Sequence, residues 1–221
     1  MNKFEKKIYC TLDTETLGGA TNPMNAYQLS GIIHDRTGKP IAAANYLVAD
    51  KYDLIRDDDY HKAHFEDYEY MIRTGSATMV ATLEEAVRAF CALCDYYKVD
   101  VVMAFNASFD LIKGAAAPLL EGREFIDLWL MACETLAKRK AYSDFCHENN
   151  FRSSTGKSCS TSAEAFYAFI TNDPEFEEQH TAFADALIEM EIFLACQRTH
   201  KKFTRNEVWF NAKGFRHVPR W

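Results

Sequence analysis

At 221 residues, with 48% hydrophobic and 26% charged side chains, the chain has material for one substantial domain and a small extension, not for two full domains. A formal charge of -7 and a pI of about 5.5 argue against broad adhesion to nucleic acid or to an anionic membrane, although a local basic surface stays compatible with a nucleic-acid enzyme. No apolar run approaches the roughly 20 residues that span a bilayer, and the opening MNKFEKK lacks the apolar centre of a signal peptide, so a cytoplasmic protein without membrane contact is expected.

The first element is KIYCTLDTET. A period of two puts Ile8, Cys10 and Leu12 on one face and Tyr9, Thr11, Asp13 and Glu15 on the other. Two carboxylates that leave a strand end in the same direction repel each other, and a divalent cation between them is the usual relief; a solvated strand end is the plainer reading. AYQLSGIIHD and PIAAANYLVAD, around the Gly-containing turn RTGK, read as a hairpin continuing this strand, which makes three consecutive strands. Residues 50–78 are rich in Asp, Tyr and His without a clear period and read as a loop with short helical pieces. Its His61 and His64 read as solvated side chains.

TLEEAVRAFCALCDYY opens with a capping box, Thr82 and Glu85, before a helix with Leu83, Val87, Phe90, Cys91 and Cys94 on its apolar face. No second C-x-x-C completes a structural zinc site with Cys91 and Cys94, so they read as core. The seven cysteines are odd in number and scattered, as expected of reduced thiols. VDVVMAF is a strand covered on both faces and ends at NASFD. A helical segment to about Leu120, a fifth strand at REFID and a helix at LWLMACETLAKRK follow. Cys146 and His147 read as solvated loop residues, NNFRSSTGKSCS has no clear assignment, and SAEAFYAFI and ADALIEMEIFLACQRTH are helices. Three strands, helix, strand, helix, strand and then helices make an α/β layered domain. Residues 1–197 read as that domain and 198–221 as a basic tail with seven Lys and Arg against Glu207. The tail aromatics Phe203, Trp209, Phe210, Phe215 and Trp221 either stack on nucleic acid or pack the tail onto the domain.

Three motifs stand in order: D-x-E at Asp13 and Glu15, N-x-x-x-D within FNASFD at Asn106 and Asp110, and H-x-x-x-x-D within HTAFADA at His180 and Asp185. In that order, on these strand ends and this helix start, the chain resembles the DEDD exonuclease superfamily, histidine subgroup. That group includes polymerase proofreading subunits, oligoribonuclease-like enzymes and small phage or bacterial exonucleases. The resemblance runs from about residue 8 to 196. It implies a ribonuclease-H-like mixed five-stranded sheet flanked by helices, and a two-metal-ion 3′-to-5′ exonuclease that releases 5′-mononucleotides from DNA, single-stranded by preference.

Asp13, Glu15, Asp110 and Asp185 would hold two divalent cations, Mg2+ or Mn2+. The residue types suit the task, since hydrolysing a phosphodiester requires activated water and neutralisation of the charge that spreads over phosphate and leaving oxygens, and hard cations favour carboxylate oxygens. By the same resemblance His180 would be the general base, a task suited to an unperturbed pKa of about 6.5. Alone, in DPEFEEQHT, it reads as a surface histidine. Thr16 would lie near the terminal sugar and Leu17 against the terminal base. Asn106 would orient Asp110 or touch the strand. Packing for Leu17 and turn formation for Asn106 remain open alternatives.

The implied partner is nucleic acid with a free 3′ end, and the family also admits a polymerase or replication protein. The chain departs from the family pattern at Phe105, where many members have histidine, at Phe183, where leucine is usual, and over residues 57–80, which have no counterpart. Motifs do not encode 2′-OH recognition, so an RNA-trimming enzyme of the same family stays open. A non-catalytic nucleic-acid-binding protein retaining the fold would show a lost metal ligand, and all five expected positions carry the right residue types.

Overall fold

The computed structural model describes residues 7–17, 25–56, 61–112 and 115–207. β1 (Tyr9–Thr16), β2 (Ala26–His34) and β3 (Pro40–Val48) form an antiparallel meander. β5 (Val101–Ala104) and β6 (Glu124–Asp127) extend the sheet in parallel from β1, and β4 (Thr78–Val80) adds parallel to β3 at the other edge. The spatial order is β4-β3-β2-β1-β5-β6. The expected mixed sheet flanked by helices is present, with six strands instead of five.

The extra strand, Thr78–Val80, follows at the end of the segment read as a loop, which is largely helical: α1 (Ala49–Ile55), a 3-10 turn at His61–His64, and α2 (Phe65–Thr74). Ile55, Tyr68 and Ala77 pack there on Tyr27 and Leu47 of the sheet, with Phe65, Met71 and Ile72 beside them. The period of α2 is carried partly by tyrosine and phenylalanine among acids, and the burial of Tyr68 supplies what the polar composition conceals. The side chains of His61 and His64 lie outside the described residues.

The alternation along β1 sorts the core into two layers. Cys10 and Leu12 enter the layer with Phe90 of α3 (Leu83–Tyr96), whereas Tyr9 meets Phe193 of α8 (Ala182–Arg198) on the other face. Gly31 of β2 lets Phe90 lie directly on the sheet, because a Cβ there would overlap both the Phe90 ring and the Thr11 carbonyl oxygen. Thr82 caps α3 by accepting the Glu85 N–H at 3.2 Å, while the Glu85 carboxylate accepts the N–H of Ala81 and not that of Thr82, a box shifted by one residue. Cys94 is buried and Cys91 half-buried, and all seven cysteines are free thiols.

Between β5 and β6 the chain makes a short α4 (Ser108–Ile112) and a 3-10 turn at Ala117–Leu120 in place of one longer helix. α5 (Leu128–Thr135) starts on Asp127, whose carboxylate accepts the N–H groups of Trp129 and Leu130. α6 (Lys140–Glu148) corrects one expectation. Cys146 is fully buried with Tyr142 on the inner face of this helix, whereas its neighbour His147 is exposed. α7 (Ala163–Thr171) and α8 complete the second layer. Past α8, Thr204 donates to the Glu134 carboxylate, Asn206 and Phe125 exchange two hydrogen bonds, and Phe203 packs on the core. Trp209, Phe210, Phe215 and Trp221 lie outside the described residues. No helix among those described is long and apolar enough to cross a membrane.

Candidate active site

β1 ends in a register shift between Glu15 and Thr16, a feature that often terminates pairing beside functional sites. Asp13 and Glu15 leave β1 on the α8 side of the sheet. One carboxylate oxygen from each and one from Asp185 lie within 4.8 Å of one another. Asp185 belongs to the first turn of α8, and Thr181, at the N-cap, makes no side-chain capping bond. Gln28 of β2, the register partner of Glu15, supplies the missing acceptor: its Oε1 takes the Ala182 N–H at 3.0 Å while its Nε2 donates to Asn45 Oδ1 at 2.9 Å. This buried amide pins the start of α8 to the strand that pairs with Glu15, which sets where Asp185 sits.

Asp110 enters from α4. Its Oδ1 accepts the Thr14 N–H at 3.0 Å and the Thr14 hydroxyl at 2.8 Å, so the residue between Asp13 and Glu15 holds it against β1. Asp110 stands outside the tight threesome but lines the same cleft as Asp13 and Asp185. This cleft of about 650 Å³ is walled by Phe105, Phe109, Trp129 and the hydroxyls of Ser160 and Thr161.

The carboxylates raise one another's pKa. Burial, then the charge of Asp110, pushes Asp13 well above the usual range; burial, then Asp13 and Asp185, does the same to Glu15. Burial takes Asp110 up to about 7, and burial with the Asp13 charge takes Asp185 up to about 8. Glu15 and Asp185 share a hydrogen bond, which between two carboxyl groups requires a proton. Glu178, raised to about 7 by burial and then by Asp185, borders the cleft as well.

Asp110 Oδ2 and Asp185 Oδ1 are buried without a hydrogen-bond partner, and no Lys or Arg ion pair reaches these acids among the described residues. Carboxylates converging from β1, α4 and α8, with orphaned oxygens on α4 and α8, are the donor set that a hard divalent cation fits.

His180 is half-buried, five residues before Asp185, at the mouth of α8. Its backbone is left-handed (φ 50) and its carbonyl accepts the Tyr68 hydroxyl at 3.2 Å. Tyr68 is itself bonded to Tyr27 at 2.8 Å and is fully buried, so α2 holds the backbone of His180. Asn106 is also left-handed (φ 57), accepts the Ser108 hydroxyl at 3.1 Å and borders the cleft. Thr16 is buried, and Leu17 is 8% exposed within the Tyr27, Leu47 and Tyr68 cluster, so its described contacts are packing contacts. Gln28, Tyr68 and Glu178 are not legible as site residues in the sequence; the one signal is a glutamine within the mostly apolar, fully buried strand β2.

Neither a protein-family model nor a curated protein matches the chain. Among solved structures, E. coli exonuclease I in complex with a dA16 oligonucleotide matches over 87% of this chain and 41% of its own, at 15% identity and a TM-score of 0.46. The chain thus spans less than half the length of that enzyme. The functional reading rests on the carboxylates and not on this likeness.

Proposed function

We propose that the chain is a metal-dependent 3′-to-5′ exonuclease that hydrolyses the terminal phosphodiester of DNA, single strands by preference, and releases 5′-mononucleotides. The observation that carries this reading is the convergence of Asp13, Glu15 and Asp185 to within 4.8 Å, with Asp110 in the same cleft. Two divalent cations, Mg2+ or Mn2+, would supply the positive charge that phosphoryl transfer needs. Asp13, Glu15, Asp110 and Asp185 would hold them.

His180 takes the proton of the attacking water as its oxygen bonds to phosphorus; the bond from phosphorus to the 3′-oxygen of the penultimate nucleotide breaks, and that oxygen takes a proton from solvent. Thr16 meets the terminal sugar, Leu17 borders the terminal base, and Asn106 orients the α4 end of the cleft. The aromatic wall of Phe105, Phe109 and Trp129, with its neighbouring hydroxyls, suits unstacked bases and sugar-phosphate.

The test is incubation of the purified chain with end-labelled linear single-stranded and duplex DNA and RNA, and with a circular single strand, in Mg2+ or Mn2+. Stepwise shortening of linear DNA from its 3′ end to mononucleotides, with the circle intact, is expected. Cutting of the circle would make it an endonuclease, preferential loss of RNA an RNA-trimming enzyme, and binding without cleavage a non-catalytic protein.

A further inference from the structure

Glu189 stands outside the four carboxylates used above. It follows Asp185 by four residues, which places it one helical turn further along the same face of α8. Among the residues that α8 buries it is the only charged one, and it is 3% exposed. It lines the same cleft as Asp13, Asp110 and Asp185. Its Oε2 is buried with no hydrogen-bond partner, and the nearby Phe105 backbone N–H favours the charged form of the carboxyl.

A residue kept only to fill the core would be expected to be apolar, since an orphaned buried carboxyl oxygen is costly. Glu189 Oε2 is not alone in this condition. Asp110 Oδ2 and Asp185 Oδ1, both in residues of the same cleft, are buried and unpartnered too. The threesome of Asp13, Glu15 and Asp185 leaves Asp110 Oδ2 and Glu189 Oε2 unexplained, and these two come from different elements. Glu189 is also pushed well above the usual carboxyl range by burial and by the charges of Asp13, Asp110 and Asp185, as expected of a group facing them.

We propose that Glu189, together with Asp110, supplies a carboxylate oxygen to a divalent cation in this cleft, as a fifth acidic ligand of the metal site. The inference rests on the metal-dependent reading and adds to it a residue that the family motifs do not include. A hard cation of the Mg2+ or Mn2+ class is the ligand that such oxygens select.

The test is calorimetric titration of Mn2+ into the metal-stripped full chain, followed by Mn2+ electron paramagnetic resonance, for the parent, Glu189→Gln, Glu189→Asp and Asp13→Asn. Near-ultraviolet circular dichroism monitors the fold. Glu189→Gln keeps the shape and removes the charge, so at least one binding step should weaken about 10-fold or more, with a changed resonance spectrum. Glu189→Asp keeps the charge on a shorter stem and should also weaken it, which carries the test if the Gln variant does not fold. Parental affinity and stoichiometry in the folded Glu189 variants would make Glu189 a core residue and overturn the inference alone. Failure of the parent to bind Mn2+ would overturn both the inference and the reading beneath it.

Discussion

Two ends of one sheet treat their acids in opposite ways. At the end where Tyr9, Val101 and Glu124 pair side by side, the chain brings its own cations to a carboxylate: Lys7 Nζ lies 2.8 Å from Glu124, and Arg205 pairs with it from the tail. Partial burial pushes Glu124 up, yet the hydrogen bonds from Lys7 and Arg205 bring it below the ordinary carboxylate value. At the other end, Asp110 and Asp185 stand at about 7 and 8, and the described residues offer them no Lys or Arg partner. Burial acts in the same direction at both ends, so the neighbouring charge decides the sign. The first end is neutralised by the fold, and at the second the proposed function assigns that task to a cation from outside.

The largest way to break this contrast is Asp185→Asn. It keeps shape and removes a charge from the cation site, so turnover should fall by more than about 10³-fold, given that such a site supplies several kcal/mol of transition-state stabilisation. A folded Asp185→Asn protein with parental nuclease activity would place the chemistry elsewhere. His180→Ala should lower turnover about 10²-fold or more while leaving Mn2+ binding intact, because a general base acts on the water and is not a ligand. Loss of metal along with activity, measured by titration beside the rate assay, would end the assignment of His180 as base.

The contrast also has a pH signature in stability. Asp110 and Asp185 are protonated in the folded chain up to about pH 7 and 8 but ionised in the unfolded chain above their ordinary value of 3.8. Over that window the folded state binds more protons, so stability in chelator should fall as pH rises from about 4 toward 8. Melting curves between about pH 5.5 and about pH 8, the upper part of this window, should show a falling Tm that Mg2+ restores. A flat or rising Tm in chelator would contradict the assigned environment. Glu124→Gln gives the smallest effect, a loss of about 1 kcal/mol or less for a partly exposed pair, with nuclease activity unchanged. A large loss of activity there would blur the distinction between the two ends.

What the sequence revealed of the site follows from how locally each residue is positioned. The facing of Asp13 and Glu15 is a consequence of strand period alone, and Asp110 and Asp185 stand close to element boundaries that hydrophobic runs mark. Gln28 could not be recognised in the same way, because its meaning lies in a hydrogen bond to Ala182, 154 residues away. Tyr68 was hidden for a related reason, acting through the His180 carbonyl 112 residues on, from a segment whose acids and tyrosines obscure its helical period. Glu189 falls on an apolar helix face where a carboxyl gives no pattern until its neighbours across the cleft are known. The fold class was legible because the strands alternate or run apolar as their layers require. The sixth strand, three residues long and parallel to β3, leaves too little period to read.

Thermal unfolding of the parent and of Asp13→Asn, each with chelator and with Mn2+ at about pH 8, tests most directly whether one end of the sheet is arranged for an external cation. In chelator, Asp13→Asn should melt above the parent, because removing one carboxylate relieves the repulsion of the rest. Mn2+ at roughly 100 times its dissociation constant should raise the parent by about 5–10 °C and the variant by clearly less. A variant that melts below the parent in chelator, with neither protein responding to Mn2+, would contradict the account.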